Sequence, residues 1–120
     1  MRALVVDDSS AMRALLRMAL KKQGFEVAEA KHGLEALSVL SGSAEFDLML
    51  IDWNMPEMDG FALLRRVRAE SRYEHTQIMM VTTETGMDQM SEALSAGAND
   101  YIMKPFTFEV VADKLRLIGL

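Results

Sequence analysis

The sequence predicts an α/β domain built on a five-stranded parallel sheet, flavodoxin-like and doubly wound. Three observations carry that expectation. Short apolar runs alternate with helical patterns five times, Phe46 to Ile51 is apolar almost throughout, and the runs ending at Val6, Ile51 and Met103 each give way to polar residues. Strands alternating with helices give a parallel sheet covered on both faces by right-handed crossovers. A nearly unbroken apolar strand suits burial on both faces, so Phe46 to Ile51 is the expected central strand.

The first strand, Ala3 to Val6, leads into Ser9 and Ser10 as helix caps and then Met12, Leu15, Leu16, Ala19 and Leu20 at helical spacing. Gly24 stops that helix, and Phe25 to Ala30 reads as a second strand. Leu34, Ala36, Leu37 and Leu40 mark a second helix that ends near Ser41 and Gly42. After the central strand come the turn signals Met55-Pro56 and Asp59-Gly60, then a third helix through Phe61, Leu63, Leu64 and Val67. Glu70 to His75 is a polar helix end and connection, and Ile78 to Val81 is a fourth strand. Met87, Met90, Ala93 and Leu94 give a helix stopped by Gly97, Tyr101 to Met103 a fifth strand, and Val110, Val111, Leu115 and Ile118 a last helix. Met12, Met18, Met49, Met79 and Met103 fall at core spacing and are expected to pack inside.

With 120 residues, half of them hydrophobic, the chain fits one domain over residues 1–120 with a core of its own and no separate output domain. It has no cysteine, and His32 and His75 lie far apart, so a thiolate or imidazole metal site has little support and oxygen ligation is favoured. A net charge of −5 argues against a general nucleic-acid surface, although Arg65-Arg66 is a local basic cluster suited to a partner contact. No signal-peptide pattern follows Met1, and no apolar run nears the roughly 18 residues of a membrane span. A cytoplasmic protein with no membrane partner is the expectation.

Ligands of such sheets bind beyond the carboxyl ends of the strands. That rule gathers Asp7, Asp8, Asp52, Thr82 and Lys104 at one rim from almost the whole length of the chain. Crowded carboxylates resist full ionisation unless a cation is present, and magnesium takes oxygen ligands while keeping water positions open for a phosphoryl oxygen. A carboxylate beside such an ion can accept a phosphoryl group. Lys104 would balance the added charge and the Thr82 hydroxyl would donate to the phosphoryl oxygens. Each residue has a plainer reading by itself: Asp7-Asp8 a solvated capping loop, Asp52 the start of a turn, Thr82 a strand residue or cap, Lys104 a surface lysine, Tyr101 a half-buried aromatic. Their joint occurrence at one rim is what the plain readings leave unexplained.

Val5-Val6-Asp7-Asp8, Asp52-Trp53-Asn54-Met55-Pro56 with Met58-Asp59-Gly60, Val81-Thr82, and Ala96-Gly97-Ala98 leading to Lys104-Pro105-Phe106 together resemble the receiver domains of two-component response regulators, especially the CheY-like chemotaxis regulators. The resemblance spans essentially the whole chain. It implies the strand order 2-1-3-4-5, for which CheY is itself the standard example, and a cis Lys104-Pro105 bond. It also implies Asp52 as phosphoacceptor, Asp8 as a direct magnesium ligand, Asp7 as a ligand through water and Asn54 as a ligand through its backbone carbonyl. Lys104 and Thr82 match the pair that reads the phosphoryl group, and Tyr101 the aromatic that turns inward when Thr82 moves. Asn54 and Glu84 match the positions that tune dephosphorylation, whereas Ser9 and Thr83 depart from the commonest chemotaxis pattern. Met87, Met90, Tyr101 and Lys114 map to the face of the fourth helix, fifth strand and fifth helix where such receivers bind partners. For Met90 simple burial is the competing reading.

The implied function is a stand-alone regulator phosphorylated by a CheA-type histidine kinase and read by a downstream protein, in chemotaxis a flagellar motor switch protein, with catalysis limited to taking up and losing the phosphoryl group. A phosphorelay intermediate, a regulator of another enzyme and a receiver cut from a longer regulator are alternatives. An aspartyl-phosphate phosphatase would need a second carboxylate where Asn54 stands. A flavin carrier would need a phosphate-binding loop where Asp7-Asp8 would repel phosphate.

Overall fold

The computed structural model describes residues 1–42, 45–83 and 87–120. Five strands, β1 (Arg2–Val6), β2 (Glu26–Ala30), β3 (Leu48–Asp52), β4 (Gln77–Thr82) and β5 (Asp100–Met103), alternate with five helices, α1 (Ser10–Lys22), α2 (Gly33–Gly42), α3 (Gly60–Arg68), α4 (Met87–Ser95) and α5 (Phe108–Leu117). All strand pairs are parallel and the order is β2-β1-β3-β4-β5. β3 is central, as its apolar sequence predicts, and all five of its residues are buried.

Alternation along each strand divides the core in two. Val5, Leu50, Met79, Val81 and Ile102 face α1 and α5 through Leu16, Leu20, Val111 and Leu115. Leu4, Val6, Met49, Ile51, Ile78 and Met80 face the other way, against Ala36 and Leu40 of α2, Leu63, Leu64 and Val67 of α3, and Ala93 of α4. Three helices begin at the caps their sequences provide. The Ser9 hydroxyl accepts from the Met12 amide at 3.2 Å, the Asp59 carboxylate from Ala62 at 2.8 Å, and the Thr107 hydroxyl from Val110 at 3.1 Å. The Lys104-Pro105 bond is cis. Among the described residues, no helix is long and apolar enough to cross a membrane.

Several expectations of burial need correction. Met18 is 52% exposed and Met103 37% exposed. Leu15, Leu34, Leu94 and Val110, expected on helix core faces, are also exposed. In α1 the buried residues are Leu16, Ala19 and Leu20. Leu15 and Met18 lie one position to the side of them, a rotation of about 100° that carries them toward solvent. Met103 ends the short edge strand, where there is no further strand to cover it. Two strands also begin later than their apolar runs. The Phe25 amide closes α1 by donating to Leu20 O at 3.2 Å, and Phe46 is buried just ahead of β3 while its carbonyl accepts from the Thr76 hydroxyl at 2.9 Å.

The polar connection after α3 is held by a residue that its charge pattern does not reveal. Arg68 Nε donates to Gly97 O at 2.8 Å, Nη1 to Tyr73 O at 2.8 Å, and Nη2 to Thr76 O at 2.7 Å and Asn99 Oδ1 at 3.0 Å. One guanidinium therefore fastens α3 to the 3-10 turn at Ser71–Tyr73 and to the loop entering β5. Burial holds its pKa below the usual arginine value. Arg68→Ala leaves three carbonyls short of a donor, and we expect a loss of about 2 kcal/mol. A urea midpoint equal to that of the wild type would contradict this role.

Candidate functional site

The chain direction across the sheet reverses between β1 and β3, so the crevice beyond their carboxyl ends is where a doubly wound sheet places its ligand. Asp7 follows β1 and Asp52 ends β3. Asp7 is fully buried, Asp52 is 3% exposed and Asp8 is exposed at the rim. One carboxylate oxygen from each of the three lies within 4.8 Å of the others. The rim predicted from five separated sequence positions therefore brings its three acids together.

Lys104 completes the group from the far side. Its ammonium lies 3.0 Å from Asp52 Oδ1 and 3.6 Å from Asp7 Oδ2. Its backbone amide donates to Thr82 O at 2.8 Å, which ties the end of β5 to β4. Thr82 is 1% exposed and lies beside Met103 in the sheet register.

Burial raises the Asp52 pKa above the ordinary carboxylate value. The Lys104 hydrogen bond opposes that shift, the negative charge of Asp7 adds to it, and the Asn54 amide lowers it slightly. Burial sets the direction of the shift, and among the described residues the three grouped carboxylates are met by the Lys104 ammonium alone, which leaves the site short of positive charge.

Asp7 shows the same shortage in a second way. Its Oδ1 accepts from the Ser9 amide at 2.9 Å, and its carbonyl accepts from Arg13 Nη1 at 2.7 Å. Among the described residues, its Oδ2 is buried with no hydrogen-bond partner and only the longer contact to Lys104. An orphaned carboxylate oxygen facing two further carboxylates fits a hard divalent cation bound through oxygen, as magnesium is.

Arg13 is a residue that sequence patterning missed. It also pairs with Glu29 at 3.2 Å, and Arg17 reaches the same carboxylate at 2.7 Å. Its link to Asp7 runs through a backbone carbonyl, which leaves no trace in the charge pattern.

The loop after Asp52 is shaped by close backbone approach. Trp53 N donates to Val81 O, and Gly60 N donates to Trp53 O, each at 2.9 Å. A Cβ at Gly60 would lie 2.2 Å from Asp52 O and 2.9 Å from Trp53 Cα, so any other residue must push α3 away from the site. Gly60→Ala should cost about 2 kcal/mol of stability and weaken divalent-ion binding. A variant that melts and binds magnesium as the wild type does would contradict the close approach.

Trp53 stacks on Phe61, with centroids 5.6 Å apart and 23° between planes, next to the acidic group. Asn54 is exposed two residues beyond Asp52. Glu84 and the Met87 side chain lie outside the described residues. Met90 is 8% exposed, in line with the burial also weighed for it. Tyr101 is half-buried with Lys114 Nζ over its ring at 4.5 Å from the centroid.

Comparison with known proteins agrees with this geometry. The family model described as the response regulator receiver domain matches residues 3–116. The chain belongs to the response regulator receiver family. Proteins of this family are signalling proteins with an acidic pocket that binds magnesium. The receiver is 46% identical over 119 residues to the chemotaxis protein CheY1 of Helicobacter pylori, covering 98% of this chain and 96% of that protein. It is 48% identical over 116 residues to the chemotaxis protein CheY homolog of Campylobacter jejuni, covering 96% and 89%. Among solved structures, the receiver superimposes on Vibrio cholerae CheY4 with a TM-score of 0.90 at 38% identity, covering 98% of this chain and 97% of that one. The flavodoxin-like (βα)5 fold and the inherited strand order are those of the CheY structures.

Proposed function

We propose that this receiver is a phosphorylation-controlled binding module whose phosphoacceptor is Asp52. The observation that carries the reading is the buried Asp52 carboxylate, 3.0 Å from Lys104 and grouped with Asp7 and Asp8 at the switch point of the sheet. Asp7, Asp8, Asp52 and the Asn54 carbonyl would hold magnesium, which when bound offsets the negative charge that gathers during phosphoryl transfer.

In the transfer, an Asp52 oxygen forms a bond to the phosphorus of a kinase phosphohistidine while the phosphorus–nitrogen bond breaks. The electron pair stays on the imidazole nitrogen. Hydrolysis later returns the Asp52 carboxylate and inorganic phosphate, with Asn54 and Glu84 at the positions that tune its rate.

Lys104 sits where it can pair with the phosphoryl oxygens that replace the bare carboxylate. Thr82, at the end of β4, is placed to donate its hydroxyl to them. Its displacement opens space on the face shared with Tyr101. The signal then leaves through protein contacts on the α4, β5 and α5 face, through Met87, Tyr101 and Lys114, with Met90 buried beneath them.

The Helicobacter pylori and Campylobacter jejuni chemotaxis relatives match over 96% and 89% of their own length, which supports a stand-alone chemotaxis regulator. Its partners would be a CheA-type histidine kinase and a flagellar motor switch protein, in the cytoplasm. A second reading, a receiver operating within a longer regulator, draws on a probable response regulator/GGDEF domain protein. That structure superimposes with a TM-score of 0.90 at 32% identity, and the match covers 48% of that chain.

Trp53 is the only tryptophan and adjoins Asp52, so it reports on the pocket directly. Adding magnesium and then beryllofluoride, which imitates the phosphoryl group, should change its fluorescence saturably in the wild type and leave Asp52→Asn unchanged. A silent wild type that also takes no phosphoryl group from acetyl phosphate would contradict the reading.

A further inference from the structure

Lys114 occupies a position that a solvent-facing helix lysine would not require. It belongs to α5, which packs on the opposite face of the sheet from the cluster that receives Tyr101. β5 is the edge strand, so the Lys114 side chain reaches round the open edge to lie over the Tyr101 ring at 4.5 Å. Its ammonium is fixed there by Asp100 Oδ1 at 3.0 Å. The same oxygen accepts the Tyr101 amide at 2.8 Å. One carboxylate thus fastens both the backbone that carries the ring and the cation that covers it. The Lys114 and Asp100 side chains are only 24% and 18% exposed, which strengthens both contacts relative to open solvent.

Tyr101 and Thr82 share a face of the sheet, because Tyr101 registers with Met80 and Thr82 follows two residues later on the same strand. The half-buried ring already packs against the apolar cluster that holds Met80 and Ala93, and a ring that withdraws from the edge toward Thr82 moves deeper into it. The Lys114 ammonium cannot follow without leaving Asp100 and losing its water. The cation–π contact therefore exists in one position of the ring and is lost in the other.

We infer that Lys114 is a positioning residue that, anchored by Asp100, latches Tyr101 at the sheet edge and sets the threshold for the switch. This inference rests on the proposed role of Tyr101 as the residue that responds to Asp52 phosphorylation. It gives Lys114 a task inside the receiver, separate from any contact with a partner. A ligand or modification can shift a two-state equilibrium only through contacts that differ between the states, and this latch is one such contact.

The test uses the full chain labelled with fluorotyrosine in a Tyr73→Phe background, so that Tyr101 alone gives the fluorine signal, with no partner protein present. Wild type, Lys114→Met, Lys114→Arg and Asp100→Asn are titrated with beryllofluoride at saturating magnesium. Lys114→Met keeps the stem and removes the charge. It should move the Tyr101 resonance toward the beryllofluoride-bound position before any is added and lower the half-saturating concentration about threefold to fivefold. Lys114→Arg should restore wild-type behaviour, and Asp100→Asn should shift in the same direction as Lys114→Met by less. A Lys114→Met variant that melts normally but matches the wild type in both readouts would overturn the latch alone. A wild-type Tyr101 resonance that beryllofluoride leaves unmoved, while Trp53 responds, would overturn the switch role of Tyr101 and the latch with it.

Discussion

Asp52→Asn should take up no phosphoryl group from a small donor such as acetyl phosphate, and should nonetheless be the more stable protein when magnesium is withheld. Loss of labelling follows from chemistry, since the amide oxygen is too weak a nucleophile to replace the carboxylate.

The gain in stability follows from the sign of the pKa shift. Burial raises the Asp52 pKa in the folded protein, so the unfolded chain ionises this group first. Its contribution to stability is fully present below the ordinary carboxylate pKa and is lost as pH rises through the raised native value. At neutral pH the charge therefore works against folding. Because Lys104 keeps Asp7 at 3.6 Å and the amide oxygen of the introduced asparagine can still accept from it, removing the charge should add on the order of 1 kcal/mol. That advantage should shrink as pH falls through the raised native value and be gone below the ordinary carboxylate pKa of about 4, where wild-type Asp52 is protonated in both states. Magnesium should invert the order, because an ion at about one hundred times its dissociation constant stabilises the wild type by about 2.7 kcal/mol. Thermal melts of both proteins with and without magnesium read all of this. A variant less stable than the wild type in magnesium-free buffer at neutral pH would contradict the charge imbalance.

Lys104→Ala should act in the opposite sense. The ammonium sits 3.0 Å from Asp52 and 3.6 Å from Asp7, and its removal leaves two buried carboxylates facing each other without a cation. Breaking a buried ion pair from one side costs about 3–5 kcal/mol, and partial exposure of Lys104 places the expected loss near the lower bound. The same ammonium competes with a metal ion for the same oxygens. Magnesium should therefore bind Lys104→Ala more tightly, by about tenfold for 1.4 kcal/mol of relieved competition. Phosphorylation should persist in part while the response of Tyr101 and partner binding weakens. Magnesium affinity equal to or weaker than wild type, measured by Trp53 fluorescence, would contradict the arrangement, and so would normal partner binding by the phosphorylated variant.

The architecture was legible because its signals are local and repeated. Five apolar runs with helical spacing between them leave few parallel arrangements, and the ends of β1, β3, β4 and β5 then have to meet. What remained hidden depends on relations the sequence does not display. Asp7 and Asp8 are neighbours of identical type, yet Asp7 is fully buried and Asp8 exposed, because Asp7 is still held to the sheet by its amide bond to Ala30 O while Asp8 lies in the loop beyond it. The links from Arg68 to its loop and from Arg13 to Asp7 end on backbone carbonyls, which every residue possesses, so no complementary charge announces them. Leu15 and Met18 look like core residues by composition, and a single step around α1 puts them in solvent. The Lys114 contact requires knowing that β5 is an edge strand and that α5 lies on the far side of it.

Everything proposed for this receiver depends on Asp52 accepting the phosphoryl group. The most direct measurement incubates the protein with acetyl phosphate and magnesium, traps the acyl phosphate by borohydride reduction and maps the modified residue by mass spectrometry, with Asp52→Asn in parallel. Modification is expected at Asp52 alone, dependent on magnesium and missing from the variant. Modification at another residue, or equal labelling of Asp52→Asn, would contradict it.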